Sequence, residues 1–436
     1  MIAILSFIGI TALLSGEGHL LLRGITRRND AVTIALSYPL GTLTNALVFF
    51  LAHILGLRWT LLSIGSIHGV LIIALLVWFL TRGRRKTAAE HERIPSSHLS
   101  PILASVCGIV ALVALLSAAL YALAFPTFFW DAFTNWAMRS MQSYQAQSLV
   151  FDGIAKAQYP ILIHSLHVVF ALPGGWSDRL ANAATFLLST TSLLTLFLLI
   201  RRQYGNRCAL IGITLLLAIP LVVIHLRQGY ADIHVTLFIL LASLFLHEHV
   251  TSGDVTSLTI SGLLAAAAAW TKLEGLYFAL LPFIALALVT SVQRKTLHKG
   301  IRRGILPACV LGLGWVAFLL ASGLPLSPHG SSVAFHPEAI RLVLVQLFVT
   351  GSFGVHWYAI ALGIVALIVV TKRNPRTLLQ DTPSLWGIGS LLLVLAIYLC
   401  TKEVEFLVSG NTFGRTALIP TMLLTQALWL RFGSKE

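Results

Sequence analysis

Phe125-Pro-Thr-Phe-Phe-Trp-Asp-Ala-Phe-Thr-Asn-Trp136 opens the longest stretch of this chain that does not read as a membrane span. The stretch runs to Tyr159 and holds Asp131, Asp152 and Lys156 between long apolar runs. That contrast decides the fold class. The chain of 436 residues is 57% hydrophobic and 11% charged, with a mean hydropathy of +0.86. Soluble domains carry about 25% charged residues. Repeated continuous apolar runs of about 18 or more residues mean helices that cross a bilayer. A barrel would show alternation instead. The expectation is an all-α polytopic membrane protein of roughly thirteen transmembrane helices.

Working outward, the basic loops set the orientation. Three spans fill residues 1–81, the first read as a retained span rather than a cleaved signal. A basic linker over residues 82–100 contains Arg82, Arg84, Arg85 and Lys86, and it breaks the composition at Pro95-Ser96-Ser97. By the positive-inside rule it is cytoplasmic. Residues 101–436 then form a second transmembrane module, whose first large loop, 126–178, is extracytoplasmic. Arg201-Arg202, the basic run in 293–303 and Lys372-Arg373 all fall on the linker's side. The expected setting is a bacterial cytoplasmic (inner) membrane, with the working face outside.

The formal charge of +14 sits in these short loops. There it sets topology and meets anionic headgroups, and no basic stretch forms a nucleic-acid module. Cys107, Cys208, Cys309 and Cys400 are isolated and share no metal or redox spacing, so they read as packing residues. The pair His164/His167 has no third ligand nearby in sequence, and His247/His249 falls on the expected cytoplasmic side, so both read as structural or interfacial. No Gly-rich phosphate loop offers a nucleotide site.

The outer face collects ionisable groups from distant parts of the chain: Asp131, Asp152 and Lys156; Arg227, Tyr230 and Asp232; Lys272 and Glu274; Lys402, Glu403, Glu405 and Arg415. Such groups at membrane depth are costly and are functional or paired. Mutual ion pairs Lys272–Glu274 and Arg227–Asp232 are one reading. Within the outer loop, Phe133, Trp136, Ala137, Met141 and Tyr144 recur at helical spacing, which predicts an interfacial helix over 131–147. Asp131 is then either its N-cap or a carboxylate held where a lipid-linked headgroup would arrive. Sugar transfer from a polyprenyl-phosphate carrier needs that layout. A carboxylate takes the acceptor proton, and cations hold the departing phosphate. Lys272 and Arg415, with Arg227 and Lys156, supply the cations.

Trp130-Asp131-Ala132 with Trp136, Tyr159-Pro160, Gly229-Tyr-Ala-Asp232 and Thr271-Lys-Leu-Glu-Gly275, in this order and on one face, resemble the GT-C superfamily of membrane glycosyltransferases. They are similar to the bacterial relatives of protein O-mannosyltransferases and the lipid A aminoarabinose transferase. The resemblance implies a GT-C-like bundle and an inverting enzyme with a polyprenyl-phosphate sugar donor. It implies a glycan, lipid or protein acceptor, and a catalytic aspartate that maps onto Asp131. Trp130, Trp136, Lys156, Tyr159, Tyr230, Asp232 and Glu274 are candidate substrate-binding or supporting residues. Lys272, Arg415 and Arg227 are candidate donor-phosphate ligands. Ala132 stands where several members have a second acid, which leaves open both the second carboxylate and the use of a divalent metal. The alternatives are a secondary transporter, and an O-antigen polymerase or ligase. The first favours midplane charges and repeated halves, and the second a late outer loop richer in Arg and His than 322–341.

Overall fold

A computed structural model describes residues 2–26, 29–81, 99–154, 156–326, 333–373, 381–407 and 411–433. The basic linker, apart from Leu99 and Ser100, lies outside them, as do Arg27-Arg28 and His329. The described residues contain no strand, only an isolated bridge between Val333 and Thr401. Nine helices among them are long and apolar enough to span a bilayer, or ten if one bent pair counts as a span. That is fewer than the roughly thirteen expected. The helix Val255–Thr271 falls short with 17 residues, and Asn411–Leu428 carries Arg415.

The first helices are α1 (Ile2–Thr26), α2 (Ala31–Ile54), α3 (Leu61–Thr81) and α4 (Pro101–Ala124). Asp30 caps α2 by accepting from Thr33 N at 2.7 Å, and Ser100 with Pro101 starts α4. Helices α1 and α2 approach backbone to backbone. A Cβ on Gly18 would lie 1.8 Å from Ser37 O, and one on Gly41 1.9 Å from Leu14 O. Only glycine permits that contact, which substitutes for the hydrophobic drive absent between helices in lipid. Gly41→Leu is expected to part the two helices at a cost of at least about 1–3 kcal/mol, checked by thermal unfolding in nanodiscs.

The outer loop carries α5 (Met138–Ala146) and α6 (Leu162–Ala171). Next come α7 (Asp178–Tyr204), the bent pair α8 (Asn206–Leu217) and α9 (Pro220–Gln228), α10 (Ala231–Ser252) and α11 (Val255–Thr271). The expected single span over 209–224 is instead broken by 79° between α8 and α9. Pro220 lacks the N–H that would continue the ladder and pushes Ile219 into an extended conformation. Glycines with positive φ, Gly205 at 87°, Gly229 at 64° and Gly253 at 78°, turn the chain from α7 to α8, from α9 to α10 and from α10 to α11.

Helices α10 and α11 form the centre of the bundle and are buried almost throughout. The run Ala265–Ala269 lets them close, and Ser261 Oγ donates to Ala242 O at 2.7 Å. Because the pair is antiparallel, the start of α10 and the end of α11 meet at one end of the bundle. The helices Thr382–Cys400 and Asn411–Leu428 pack together as a second hairpin against α10.

Candidate active site

The α10–α11 hairpin assembles the first half of the site. Asp232 lies in the first turn of α10, where a carboxylate suits the positive helix end. Lys272 follows the last residue of α11 in extended backbone. Lys272 Nζ donates to Asp232 Oδ1 at 2.9 Å and lies 2.6 Å from Glu274 Oε1. Burial pulls the ammonium's pKa down, but the carboxylates of Asp232 and Glu274 outweigh it and hold Lys272 above the ordinary lysine value. The two carboxylates thus favour the charged form of Lys272. Its ammonium also stands 5.6 Å from the centre of the Tyr159 ring. Asp232 Oδ2 and Glu274 Oε2 have no hydrogen-bond partner among the described residues.

The second half comes from the outer loop and the last long helix. The loop's helix begins one residue before Asp131, as a π-turn over Ala132–Ala137 that runs into α5. Asp131 has helical backbone angles and makes no capping hydrogen bond. The capping reading is thereby overturned. The carboxylate instead faces Arg415, with Oδ2 2.7 Å from Nη1, and Asn135 Nδ2 donates to Oδ1 at 3.4 Å. Arg415 lies 6.0 Å from the centre of the Tyr230 ring, and its Nε has no partner among the described residues.

Both halves open into one cavity of about 510 Å³. Asp131, Lys156, Tyr159, Lys272, Glu274 and Arg415 line it. Trp136 stacks on Tyr159 at 5.2 Å and 11°, which ties the Asp131 helix to the Lys156–Tyr159 turn. Burial lowers the pKa of the Lys156 ammonium, opposed chiefly by Glu403 and then Glu274. Burial raises the Tyr159 phenol, so that group keeps its proton.

Residues 160–321 match the family model described as dolichyl-phosphate-mannose-protein mannosyltransferase. Over 74% of this chain the fold superposes on a crystal structure of ArnT from Cupriavidus metallidurans bound to undecaprenyl phosphate. The TM-score is 0.52 at 16% identity, and the match covers 60% of that protein's chain. ArnT is a GT-C glycosyltransferase. The chain has the GT-C fold. The resemblance read from the sequence is borne out in family model and in architecture. No curated protein matches the chain at a significant level of sequence similarity. The match to ArnT leaves about two fifths of that protein's chain uncovered.

Within this GT-C bundle, the family-model region contains Asp232, Lys272 and Glu274 but neither Asp131 nor Arg415. Of the expected ion pairs, Lys272–Glu274 forms, whereas Asp232 pairs with Lys272 rather than with Arg227. Arg227 turns away from the cavity. Its Nη2 donates to Ser117 Oγ on α4 at 3.0 Å, and its guanidinium lies over Tyr121 at 5.6 Å. Trp130 also stands apart, 78% exposed on the bundle surface. Tyr230 is buried, stacked on His225 at 4.5 Å, and supports Arg415 from beneath.

Sequence reasoning left Tyr398, Thr412 and Thr416 unassigned, and these also line the cavity. Tyr398 lies in an apolar helix without any pattern to mark it, and its hydroxyl meets Thr416 Oγ1 at 3.2 Å. Glu403, noted only as one of several outer charges, reaches the cavity from a 3-10 turn over Lys402–Phe406. It is a further carboxylate on the cavity wall, where Ala132 supplies none. Among the described residues no group of three or more His, Cys, Asp and Glu side chains is arranged to hold a metal ion. The divalent metal that Ala132 left open therefore has no donor set of three among the described residues.

Proposed function

We propose that this protein transfers a sugar from a polyprenyl-phosphate donor to an acceptor hydroxyl, with inversion, at the extracytoplasmic face of the membrane. One observation carries the reading. Asp131, Lys272 and Arg415, which are far apart in sequence, line one cavity in a GT-C fold. The undecaprenyl phosphate bound by ArnT supports a polyprenyl-phosphate donor.

In this reading the donor's tail stays in the bilayer and its phosphate enters between Arg415 and Lys272. A phosphate oxygen takes up Arg415 Nε and shares the guanidinium with Asp131. The carboxylate of Asp131 then accepts the proton of the acceptor hydroxyl. The hydroxyl oxygen attacks the anomeric carbon on the face opposite the phosphate. The bond from that carbon to the phosphate oxygen breaks, and polyprenyl phosphate leaves with one more negative charge. Lys272 and Arg415 stabilise that growing charge, which is where fixed cations lower a barrier most. Asp232 and Glu274 hold Lys272 in place. The acceptor is a glycan, lipid or protein bearing a free hydroxyl.

The test uses purified protein in nanodiscs with a panel of polyprenyl-phosphate sugars, scoring release of the lipid phosphate. Turnover of at least one donor that is abolished by Asp131→Asn is the expected result. No turnover of any donor by the folded wild-type protein would reject the reading.

A further inference from the structure

The cavity's loop wall is organised by a residue that the mechanism does not use. Arg139, on α5, is fully buried, and no ion pair joins it to a carboxylate among the described residues. Its guanidinium is spent on backbone. Nη1 donates to Tyr159 O at 2.7 Å, Nη2 to Ala157 O at 3.0 Å and Nε to Val150 O at 3.4 Å. The guanidinium also lies over the Phe151 ring at 5.6 Å and beside His164 Nε2 at 3.4 Å. These carbonyls bracket the turn that presents Lys156, Gln158 and Tyr159 to the cavity.

A buried cation without a counter-ion is costly, and the planar fork of arginine is the one side chain that can bind several carbonyls of an irregular loop at once. Lysine offers a point charge on a flexible stem and cannot reproduce the fork. The opposite edge of the loop is held by Trp315 Nε1, which donates to Gln158 O at 2.8 Å. The loop is thus fastened from two directions. The Arg139 attachment joins it to the same helical segment that carries Asp131.

We propose that Arg139 is a positioning residue for the transfer reaction: it registers the Lys156–Tyr159 turn against the Asp131 helix, so that the base and the loop's cation face one substrate. The proposal rests on the transferase reading for its kinetic arm only. Residue 139 lies outside the family-model region 160–321, so that match does not assign it.

The test uses the full chain in nanodiscs as Arg139→Lys and Arg139→Gln. Two readouts are taken: acylation of Lys156 by an amine-reactive reagent, followed by mass spectrometry, and kcat and KM for the polyprenyl-phosphate sugar. Lys156 labelling is expected to rise several-fold in both variants. The kcat is expected to fall by about 10–100-fold, with a smaller change in donor KM, as a displacement of about 1 Å at a reacting site produces. Arg139→Lys should not rescue. Unchanged Lys156 labelling with unchanged kcat would overturn the proposal, as would failure of both variants to fold, which would make Arg139 a general structural residue. If the wild-type protein turns over no donor, the transferase reading fails while the labelling arm still decides the role of Arg139 in the loop.

Discussion

Asp131→Asn is expected to lower the rate of lipid-phosphate release by about 10²–10⁴-fold while the protein stays folded, the usual loss when a positioned base is removed. The asparagine amide keeps the size of the side chain but cannot accept a proton from a hydroxyl. It also removes the negative charge that pairs with Arg415 at 2.7 Å, so donor binding is measured separately. A general base affects kcat/KM in single turnover even where the donor still binds. Asp152→Asn is the control. Asp152 is exposed and does not line the cavity, so its loss is expected to change the rate by no more than about twofold. Wild-type transfer by a folded Asp131→Asn variant would remove the base assignment.

Lys272→Met is expected to cost both activity and about 3–5 kcal/mol of stability, because it leaves the Asp232 carboxylate buried without its counter-ion. These two losses have different origins and can be separated. Adding Asp232→Asn removes the stranded charge, so the double variant should regain most of the thermal stability in nanodiscs. It should still transfer sugar slowly, since the departing phosphate lacks a cation. Recovery of transfer along with stability would show that Lys272 serves only to neutralise Asp232. The distinction matters because the charges of this cluster are shared: Asp232 and Glu274 both contact Lys272, and Lys272 stands over Tyr159.

Several features of the site were legible in sequence for a common reason. Charged residues between apolar runs are rare, and the alternation of spans assigns each of them to a face. That logic singled out Asp131, Asp232, Lys272, Glu274 and Arg415 before any geometry was known. It failed where the deciding fact was side-chain direction. Arg227 and Asp232 are five residues apart, which suggested a mutual pair. Gly229 turns the chain between α9 and α10, however, and Arg227 faces α4 while Asp232 enters the bundle. Asp131 could also be read as a helix cap until its helical backbone and the lack of a capping hydrogen bond excluded that role. Tyr398 and Arg139 left no legible signal. One sits in an apolar helix, and the other is a single, fully buried arginine in a short helix.

The sequence by itself determined that this chain is a helical membrane protein, because the energetic penalty of exposing backbone or charge to lipid leaves a strong imprint on composition and run length. Counting spans and basic loops also led to the expectation that the ionisable groups gather on one face, and Asp131, Lys272 and Arg415 do line one cavity. Only the tertiary structure decided which of those groups meet. Opposite charges 40 residues apart, as at Asp232 and Lys272, or from the outer loop and the last long helix, as at Asp131 and Arg415, are joined by how helices pack. Packing depends on close contacts such as those at Gly18 and Gly41 and on breaks such as the one at Pro220. The stretch from Phe125 to Trp136 shows both levels. Its polarity marked it as a loop, and its fold turned one of its side chains toward a cation 284 residues away.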